Sequence, residues 1–466
     1  MKNENKNFLF NIVYQILTFL IPLVTTPYIS RVLGVTNVGI YSYTYSIVYM
    51  FMLVGMLGIN NYGNRAVAIV RDNKKKMSHT FWAIYVLQLT IDIAMLVCYV
   101  IYLTFFCKEN KDIAVIQGLF LLSVCFDINW FYFGIEKFKL TIFRNTFIKL
   151  LSLFLIFIFV KQKSDLWIYT LIMSGATLLS QIYLVVLLPK YVQLQKISFH
   201  DVVSNLKGIM ILFMPVLAFG IYKVMDKTMI GALASVTELG YYENAEKLMN
   251  IPLAVISALG TVMLPRMSYL INNKEIDINK PITTSMTLAM KLATMMCLGL
   301  ILISDEAVVV LFGKDFFNSA VILRFLSVTI LASAWANVIR TQFLIPLKKD
   351  KIYIFSTIGA AIVNILFNLT FIPLYGALGA CIGTIVAEFF VAIYQSVSTR
   401  LELSYRVFLK NAIVDLEKAT FIVIVAYTVS FTVTSTLMKL LVKILISVFV
   451  FVILNRKYIK HDFLGK

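Results

Sequence analysis

The chain is poor in charged residues, histidine and cysteine, and each of these shortages excludes a class of protein. Only 14% of the 466 residues are charged whereas 60% are hydrophobic, a balance far from that of an average soluble domain. The 3 histidines and 5 cysteines form neither a CxxC pair nor a His–Cys cluster, so the sequence predicts no disulfide framework, no metal site and no cofactor. Most of the chain is expected to lie in a lipid bilayer.

Long polar connections and catalytic signatures are also missing from the sequence. The longest connections lie at 61–79 and 189–207, and the longest on the opposite side of the membrane lies at 304–318. No Ser–His–Asp set or phosphate-cradling glycine loop can be assembled from residues on one side of the membrane. We therefore expect neither a separate soluble domain nor an enzyme.

The sequence is rich in apolar runs that are long enough to cross a membrane. A spanning helix needs about 20 residues, because each residue adds about 1.5 Å across a hydrocarbon core of about 30 Å. Fourteen runs qualify, near 8–29, 38–60, 80–106, 113–133, 140–160, 166–188, 208–231, 241–265, 283–303, 319–345, 352–373, 376–395, 418–437 and 440–455. The predicted fold is an all-α integral membrane protein with about 14 transmembrane helices.

The distribution of lysine and arginine predicts the orientation of these helices. Of the 42 Lys and Arg residues, 10 lie within the runs, 25 on one side of the membrane and 7 on the other. Because cytoplasmic loops of membrane proteins carry the excess of Lys and Arg, both termini are predicted to be cytoplasmic. The same asymmetry explains the net charge of +18 without a nucleic-acid partner.

The spacing of the runs indicates two halves of six helices each. The predicted divisions are an N-terminal lobe at 1–188, a cytoplasmic linker at 189–207, a C-terminal lobe at 208–395, and two additional helices with a cytoplasmic tail at 396–466. A weak repeat supports them, in which Pro22, Gly34, Gly39 and Tyr41 match Pro215, Gly231, Gly240 and Tyr242. Halves with an even number of helices share one orientation, related by an axis along the membrane normal.

The run 208–231 carries three charges in its interior, Lys223, Asp226 and Lys227. Spacings of three and four residues place them on one helix face. Because a charge at mid-bilayer costs on the order of 3 kcal/mol, this face is expected to point into a bundle interior or a water-filled path. Two interpretations stay open. The three residues either line a polar transport pathway or form a Lys–Asp pair that only fixes packing.

Two motifs resemble those of a known family. Pro22, the segment 27–34 (PYISRVLG) and residues 39–41 (GIY) are similar to the first-helix signature of bacterial oligosaccharide flippases. These flippases are the polysaccharide-transporter branch of the multidrug/oligosaccharidyl-lipid/polysaccharide exporter superfamily. The segment 373–380 (PLYGALGA), followed by Gly383 and Glu388, is similar to the family's turn between helices eleven and twelve.

The resemblance implies two six-helix lobes around a central cavity, with two extra C-terminal helices. It also implies an undecaprenyl-pyrophosphate-linked oligosaccharide as substrate, moved from the cytoplasmic to the outer leaflet of the bacterial cytoplasmic membrane for O-antigen or capsule synthesis. Beyond the lipid bilayer, the implied partners are a polysaccharide polymerase and a chain-length regulator. A lipid II flippase and a cation-coupled multidrug exporter of the same superfamily are the alternatives. The first motif carries over one charged residue, Arg31.

A diphosphate–sugar head group is anionic, so cations inside the runs are candidate substrate contacts. Besides Lys223 and Lys227, these candidates are Arg144, Lys149, Lys247, Lys291 and Arg324, and Arg31 joins them through its place in the first motif. Candidate ion-coupling residues or charge partners are Asp226, Asp92, Asp127, Glu243 and Glu388. Glu243 and Lys247 lie four residues apart, so a mutual ion pair is an equal alternative for them. Gly376, Gly379 and Gly383 are interpreted as close-packing positions.

Overall fold

The computed structural model of the protein describes residues 2–272, 279–403 and 405–455, and their side chains except those of 2–20, 214–216, 218–219, 221–223, 272 and 406–413. All the regular elements in these residues are helices, which confirms the predicted all-α fold. The chain packs as two compact units, Met1–Thr228 (unit 1) and Met229–Lys466 (unit 2). The lobe and linker boundaries drawn from the sequence stay predictions.

Unit 1 contains the helices of the first half of the chain. They are α1 (Lys2–Met56), α2 (Ile59–Val70), α3 (Lys74–Phe105), α4 (Lys111–Val124), α5 (Asn129–Gly134), α6 (Phe138–Phe159), α7 (Leu166–Leu187), α8 (Phe199–Ser204) and α9 (Leu206–Leu233), the last of which continues beyond the unit. Short 3-10 turns at Lys163–Asp165 and Leu188–Lys190 flank α7. One core cluster of unit 1 is built around the fully buried aromatic side chains of Phe81, Trp130 and Tyr132.

Unit 2 contains the remaining helices. They are α10 (Val236–Asn272), α11 (Asn279–Phe312), α12 (Asn318–Ser327), α13 (Thr329–Ile339), α14 (Asp350–Tyr375), α15 (Ala377–Thr399), α16 (Arg406–Ser430) and α17 (Thr436–Leu454), with a 3-10 turn at Lys314–Phe316 and a π-helical segment at Arg340–Leu344. The predicted run 418–437 is wrong at both ends, since α16 begins earlier and stops at Ser430. Hydropathy excluded Asp415 from the run, yet this charged side chain lies within the helix and is buried.

Each of the fourteen predicted apolar runs lies mainly on helical residues. Eleven segments of the described chain are long and apolar enough to cross a membrane, and one of them, Ile21–Val70, contains a turn between helices. Runs 113–133 and 319–345 are each divided, the first into α4 and α5 and the second into α12, α13 and the π-helical segment. The chain is therefore a multi-pass membrane protein.

Gly34 divides α1 into two membrane helices. Its backbone, at φ 78° and ψ 173°, lies in a region that favours glycine. The turn is held to the end of α6 and the following turn, because the Asn37 side-chain amide donates to the Lys163 carbonyl at 2.7 Å and the Tyr28 hydroxyl donates to the Val160 carbonyl at 2.7 Å. The glycine of the motif at 27–34 therefore has a structural role in this turn.

The glycines of the motif at 373–383 have structural roles as well. Gly376 has φ 57° and separates α14 from α15, and the neighbouring Ala377 N–H donates to Glu238 Oε2 at 3.0 Å. A Cβ at Gly379 would fall inside van der Waals contact with the Phe371 carbonyl, and one at Gly383 would do the same with the Asn368 amide. These positions let α14 and α15 approach closely, as the sequence predicted.

Residues 189–207 are fastened to one end of unit 1. The Trp82 indole N–H donates to the Gln193 carbonyl at 3.0 Å, and the Gln193 N–H donates to the Ser78 hydroxyl at 3.1 Å. The short helix α8 adds a contact of 3.4 Å between His79 Nε2 and Asp201 Oδ2. Hydrogen bonds from the hydroxyl and the backbone N–H of Ser198 hold the pKa of Asp201 below its usual range.

Candidate functional site

Arg144 of α6 lies at the centre of a buried polar network in unit 1. Its guanidinium donates to the side-chain oxygens of Asn129 (2.9 Å), Asn145 (2.7 Å) and Gln181 (3.1 Å), and to the Ser180 carbonyl (3.2 Å). With the bond from Nε to Asn145 at 3.2 Å, these five bonds match the five N–H donors of the group. Arg144 therefore ties α5, α6 and α7 together, and it could contact a substrate only by giving up one of these bonds.

The network continues from Asn129 to the break between α4 and α5. The Asn129 side-chain and backbone N–H groups donate to Asp127 Oδ1 at 2.6 and 3.0 Å. The Gln88 amide of α3 donates to the carbonyls of Val124 and Asp127, both at 3.0 Å, and accepts from the Trp130 indole at 3.0 Å. These side-chain bonds satisfy carbonyls that the broken helix leaves without helical partners.

Asp92 lies one helical turn beyond Gln88 on α3. Its side chain is 0% exposed, and neither carboxyl oxygen has a hydrogen-bond partner among the described residues. The structure therefore brings together three of the residues predicted from the sequence, Asp92, Asp127 and Arg144. Gln88 donates to the Asp127 carbonyl, and Asn129 is hydrogen-bonded to both Asp127 and Arg144. The two amides were missed, because nothing in a single sequence distinguishes them from the other polar residues within the runs.

Helix α9 carries the charged face predicted from the run 208–231. Asp226 is buried, Lys227 is half-buried, and the next residue, Thr228, donates from its hydroxyl to Ser46 of α1 at 2.9 Å. The side chain of Lys223 lies outside the described residues. Arg31 is exposed beside the Gly34 turn, and Lys149 is half-buried on α6.

Several predicted residues of unit 2 occur in ion pairs or hydrogen bonds. Glu243 and Lys247 approach to 3.3 Å, which is the mutual pair that the sequence left open. Arg324 pairs with Asp305 and donates to the Ser304 hydroxyl at 2.8 Å.

Two further candidates of unit 2 lie beside polar groups of neighbouring helices. Glu388 of α15 accepts from the Ser333 hydroxyl of α13 at 2.7 Å. Lys291 is half-buried on α11 and lies within electrostatic range of Asp415 on α16. The predicted cations of this unit are therefore distributed over separate helix contacts.

The sequence analysis missed an ion pair between α11 and α17. Lys443 donates to both carboxyl oxygens of Glu306 at 2.7 Å and to the Leu302 carbonyl at 2.9 Å, and the side chains of Lys443 and Glu306 are only 5% and 9% exposed. Glu306 was assigned to a loop at 304–318, whereas α11 extends to Phe312. Because 137 residues separate the partners, no local spacing could have indicated the pair.

A ladder of tyrosines on α1 was also missed. Tyr41 and Tyr45 stack with ring centroids 6.1 Å apart, Tyr49 follows at 6.2 Å from Tyr45, and Tyr169 of α7 packs on Tyr41 at 4.8 Å. The ladder follows the four-residue spacing of a helix face.

The fold and the buried charged groups define an all-α multi-pass membrane transporter, as the sequence predicted, and the family match agrees with this class. The model of the family described as polysaccharide biosynthesis protein matches residues 5–271, more than half of the chain. The chain belongs to this family.

Individual proteins resemble the chain over most of its length. A candidate O-antigen transporter of Escherichia coli (strain K12) is 24% identical over 389 residues, which cover 82% of this chain and 93% of that protein. The lipid II flippase MurJ, in an inward closed conformation, has a TM-score of 0.67 at 16% identity and covers 96% of this chain and 100% of its own. An inward-facing multidrug resistance MATE family transporter of the MOP superfamily has a TM-score of 0.63 at 14% identity, and the match covers 82% of this chain and 93% of that chain. These two structures show a shared fold.

Proposed function

We propose that the protein is a flippase that moves undecaprenyl-pyrophosphate-linked oligosaccharides from the cytoplasmic to the outer leaflet of a bacterial cytoplasmic membrane. The observation that carries the proposal is the family match over residues 5–271. The similarity to a candidate O-antigen transporter over 93% of that protein supports the oligosaccharide part of the substrate. The product would supply the synthesis of O-antigen or capsule, together with a polymerase and a chain-length regulator.

The substrate has an anionic diphosphate, hydroxylated sugars and an apolar tail, and each part needs a different environment. Lys227 of α9 is half-buried beside the buried Asp226, and the sequence places Lys223 one turn earlier on the same face. We assign the diphosphate to this face of α9. Arg31 and Lys149 of unit 1 are further candidate cationic contacts, and Lys291 is a separate candidate in unit 2. Arg144 has a positioning role in this proposal, because its five donors are committed within unit 1.

The proposed mechanism is alternating access, in which the polyprenyl tail stays in lipid while the head group crosses. Moving negative charge outward is favoured by an inside-negative potential, at about 2.3 kcal/mol per charge per 100 mV. The proposed orientation has both termini in the cytoplasm, because 25 of the 32 Lys and Arg residues outside the runs lie on that side.

Transport by the purified protein in lipid vesicles tests the proposal. The vesicles would contain undecaprenyl-pyrophosphate oligosaccharide, lipid II or a cationic dye, and a membrane-impermeant glycosidase or dye quencher would report the amount on the outer face. We expect flipping of the lipid-linked oligosaccharide at a rate well above that of protein-free vesicles. Faster transport of lipid II or of the dye would contradict the proposal and favour the corresponding alternative.

Substitutions on α9 test the assigned diphosphate contact. We expect Lys223→Ala to abolish flipping at normal protein amounts in the membrane, and Lys223→Arg to retain part of it, because the charge persists while its geometry changes. Recovery of flipping in the double variant Lys223→Ala with Asp226→Ala would instead indicate a Lys–Asp pair with a packing role.

A further inference from the structure

The connecting segment (residues 189–207) presents apolar side chains on the outside of unit 1. Leu194 is 85% exposed and Phe199 is 84% exposed, although hydrogen bonds fasten the backbone of this segment to α3. Val203, one helical turn beyond Phe199 on α8, is exposed as well. Contact of these side chains with water is unfavourable, because apolar surface is stabilised when it leaves water. We therefore expect another apolar surface to cover them.

Helix α8 turns its polar side toward unit 1 and its apolar side away from it. Asp201 Oδ2 lies 3.4 Å from His79 Nε2 of α3. The side-chain oxygen of Asn205, just after the helix, accepts from the Tyr62 hydroxyl of α2 at 2.8 Å. A surface helix of a soluble protein has the opposite orientation, because it buries its apolar face against the core. The orientation of α8 is typical of a helix that lies between membrane and water.

The exposed apolar side chains of the connecting segment continue those of the two helices that it joins. Val186 near the end of α7 is 69% exposed, and Ile211 in the second turn of α9 is 65% exposed. Helix α7 is long and apolar enough to span a membrane, and the apolar run 208–231 predicts the same for α9. A segment between two spans lies near the surface of the bilayer, where its apolar side chains can reach the acyl chains of lipids.

The charge of the connecting segment is positive. Lys190, Lys196 and Lys207 are exposed, and the last two flank α8 in the sequence. The one acid of the segment, Asp201, accepts hydrogen bonds from the hydroxyl and the backbone N–H of Ser198 at 2.7 and 2.9 Å. A lysine at a membrane surface can lay its apolar stem along lipid while its ammonium group reaches a phosphate. The exposed lysines are therefore complementary to an anionic head group.

An anionic phospholipid fits this surface better than a second copy of the chain or a free anion. A second copy would bring the same lysines to the contact, and like charges that face each other across an interface repel. A free phosphate would bind the lysines but leave Leu194 and Phe199 in contact with water. A phospholipid supplies both a phosphate for the lysines and acyl chains for the apolar side chains.

We propose that the connecting segment is a binding site for an anionic phospholipid at the membrane surface. The acyl chains contact Leu194, Phe199 and Val203, and the phosphate is bound by Lys196 and Lys207. The lipid holds α8 on its apolar side, while the hydrogen bonds to unit 1 hold it on its polar side. In the proposed orientation this end of unit 1 faces the cytoplasm, and the cytoplasmic leaflet carries a negative surface potential. The site does not depend on which substrate the protein transports.

Thermal unfolding of the purified protein in detergent tests the site. We expect phosphatidylglycerol to raise the unfolding temperature saturably, and phosphatidylethanolamine or free glycerol phosphate to raise it much less. The variant Lys196→Gln with Lys207→Gln should bind phosphatidylglycerol about fivefold more weakly for each lysine removed. The control is Lys108→Gln with Lys111→Gln, two exposed lysines at the other end of α3, and it should bind as the wild type does. Equal effects of the three additives, or unchanged binding by the first variant, would overturn the proposal.

A fluorescent probe on α8 tests the contact with acyl chains. In a variant without the five native cysteines, Phe199→Cys and Ser204→Cys would each be labelled and placed in phosphatidylglycerol vesicles that contain brominated acyl chains. We expect strong quenching at position 199 and little at position 204. Ser204 is also exposed, but it lies about 140° around the helix from Phe199. Weak quenching at both positions would overturn the proposal and favour an acidic protein as the occupant. Equally strong quenching at both would contradict the orientation of α8.

Discussion

The two units bury their charges in different ways. Unit 1 surrounds Arg144 with neutral amides from three helices and leaves the Asp92 carboxyl without a described partner. Unit 2 pairs charge with charge, at the buried Lys443 and Glu306 and at the half-buried Arg324 and Asp305. Removing one partner of a buried ion pair leaves an uncompensated charge, whereas removing one hydrogen-bond partner of Arg144 leaves its other bonds in place. We therefore expect a single substitution at the buried pair of unit 2 to cost more stability than one in the polar network of unit 1.

Breaking the Glu306–Lys443 pair should give the largest loss of stability. Glu306→Leu leaves Lys443 buried without its partner, so we expect a loss of about 3–5 kcal/mol, measured by thermal unfolding of the purified protein in one detergent. Lys443→Met should cost less, because Glu306 still has Lys439 at 4.0 Å. The double variant should recover most of the loss. Equal losses in all three variants would contradict a specific pair.

Replacing Arg144 by lysine should have the next largest effect. Lysine keeps the charge but cannot reproduce the forked donors, so the side-chain oxygens of Asn129, Asn145 and Gln181 lose partners. We expect a loss of about 2–3 kcal/mol. The control Lys149→Arg, on the same helix and half-buried, should change stability much less. If Arg144→Lys lowered the flipping rate per folded molecule without lowering stability, direct substrate contact would be the better explanation.

A methyl group at Gly379 should separate α14 from α15. The added carbon would meet the Phe371 carbonyl, a backbone atom that cannot rotate away, so we expect a loss of about 1–3 kcal/mol. Gly175→Ala in α7 is the matched control in unit 1, because nothing lies within 4 Å of a Cβ at that position. The unfolding temperature of Gly379→Ala should therefore lie clearly below that of Gly175→Ala. Similar stability of both would contradict the close approach of these helices.

The half-buried pair of Lys247 and Glu243 should contribute least. A pair spaced by four residues on a helix surface contributes about 0.3–0.5 kcal/mol, so Lys247→Gln should barely change thermal unfolding. The same variant is informative in the transport measurement. Normal stability with lost flipping would show that Lys247 contacts the substrate. Unchanged flipping would show that Lys247 interacts with Glu243 and not with the substrate.

The sequence predicted features that depend on local spacing. The apolar runs located the helices, the glycines of the motif at 373–383 were recognised as close-packing positions, and a four-residue spacing suggested the pair of Glu243 and Lys247. The ends of α16 were misplaced because hydropathy records apolar side chains, and a helix continues through charged residues such as Asp415 when a neighbouring helix buries them.

Features that depend on distant parts of the chain could not be predicted. The partners of Arg144 lie up to 37 residues away on two other helices, and Glu306 and Lys443 are 137 residues apart. Neither distance leaves a periodic signal in one sequence. The complete burial of Asp92 is likewise revealed only by the packing of α1, α3 and α4.

The turns at Gly34 and Gly376 also offer little surface to which another protein could bind. Gly34 is the residue that leaves helical geometry within α1, and Gly376 alone separates Tyr375 at the end of α14 from Ala377 at the start of α15. A stable protein contact covers about 800 Å² on each partner, far more than a one-residue turn presents. In the proposed orientation both turns face the outside of the cell. An antibody, a phage or a protease would therefore have little area to bind at either turn.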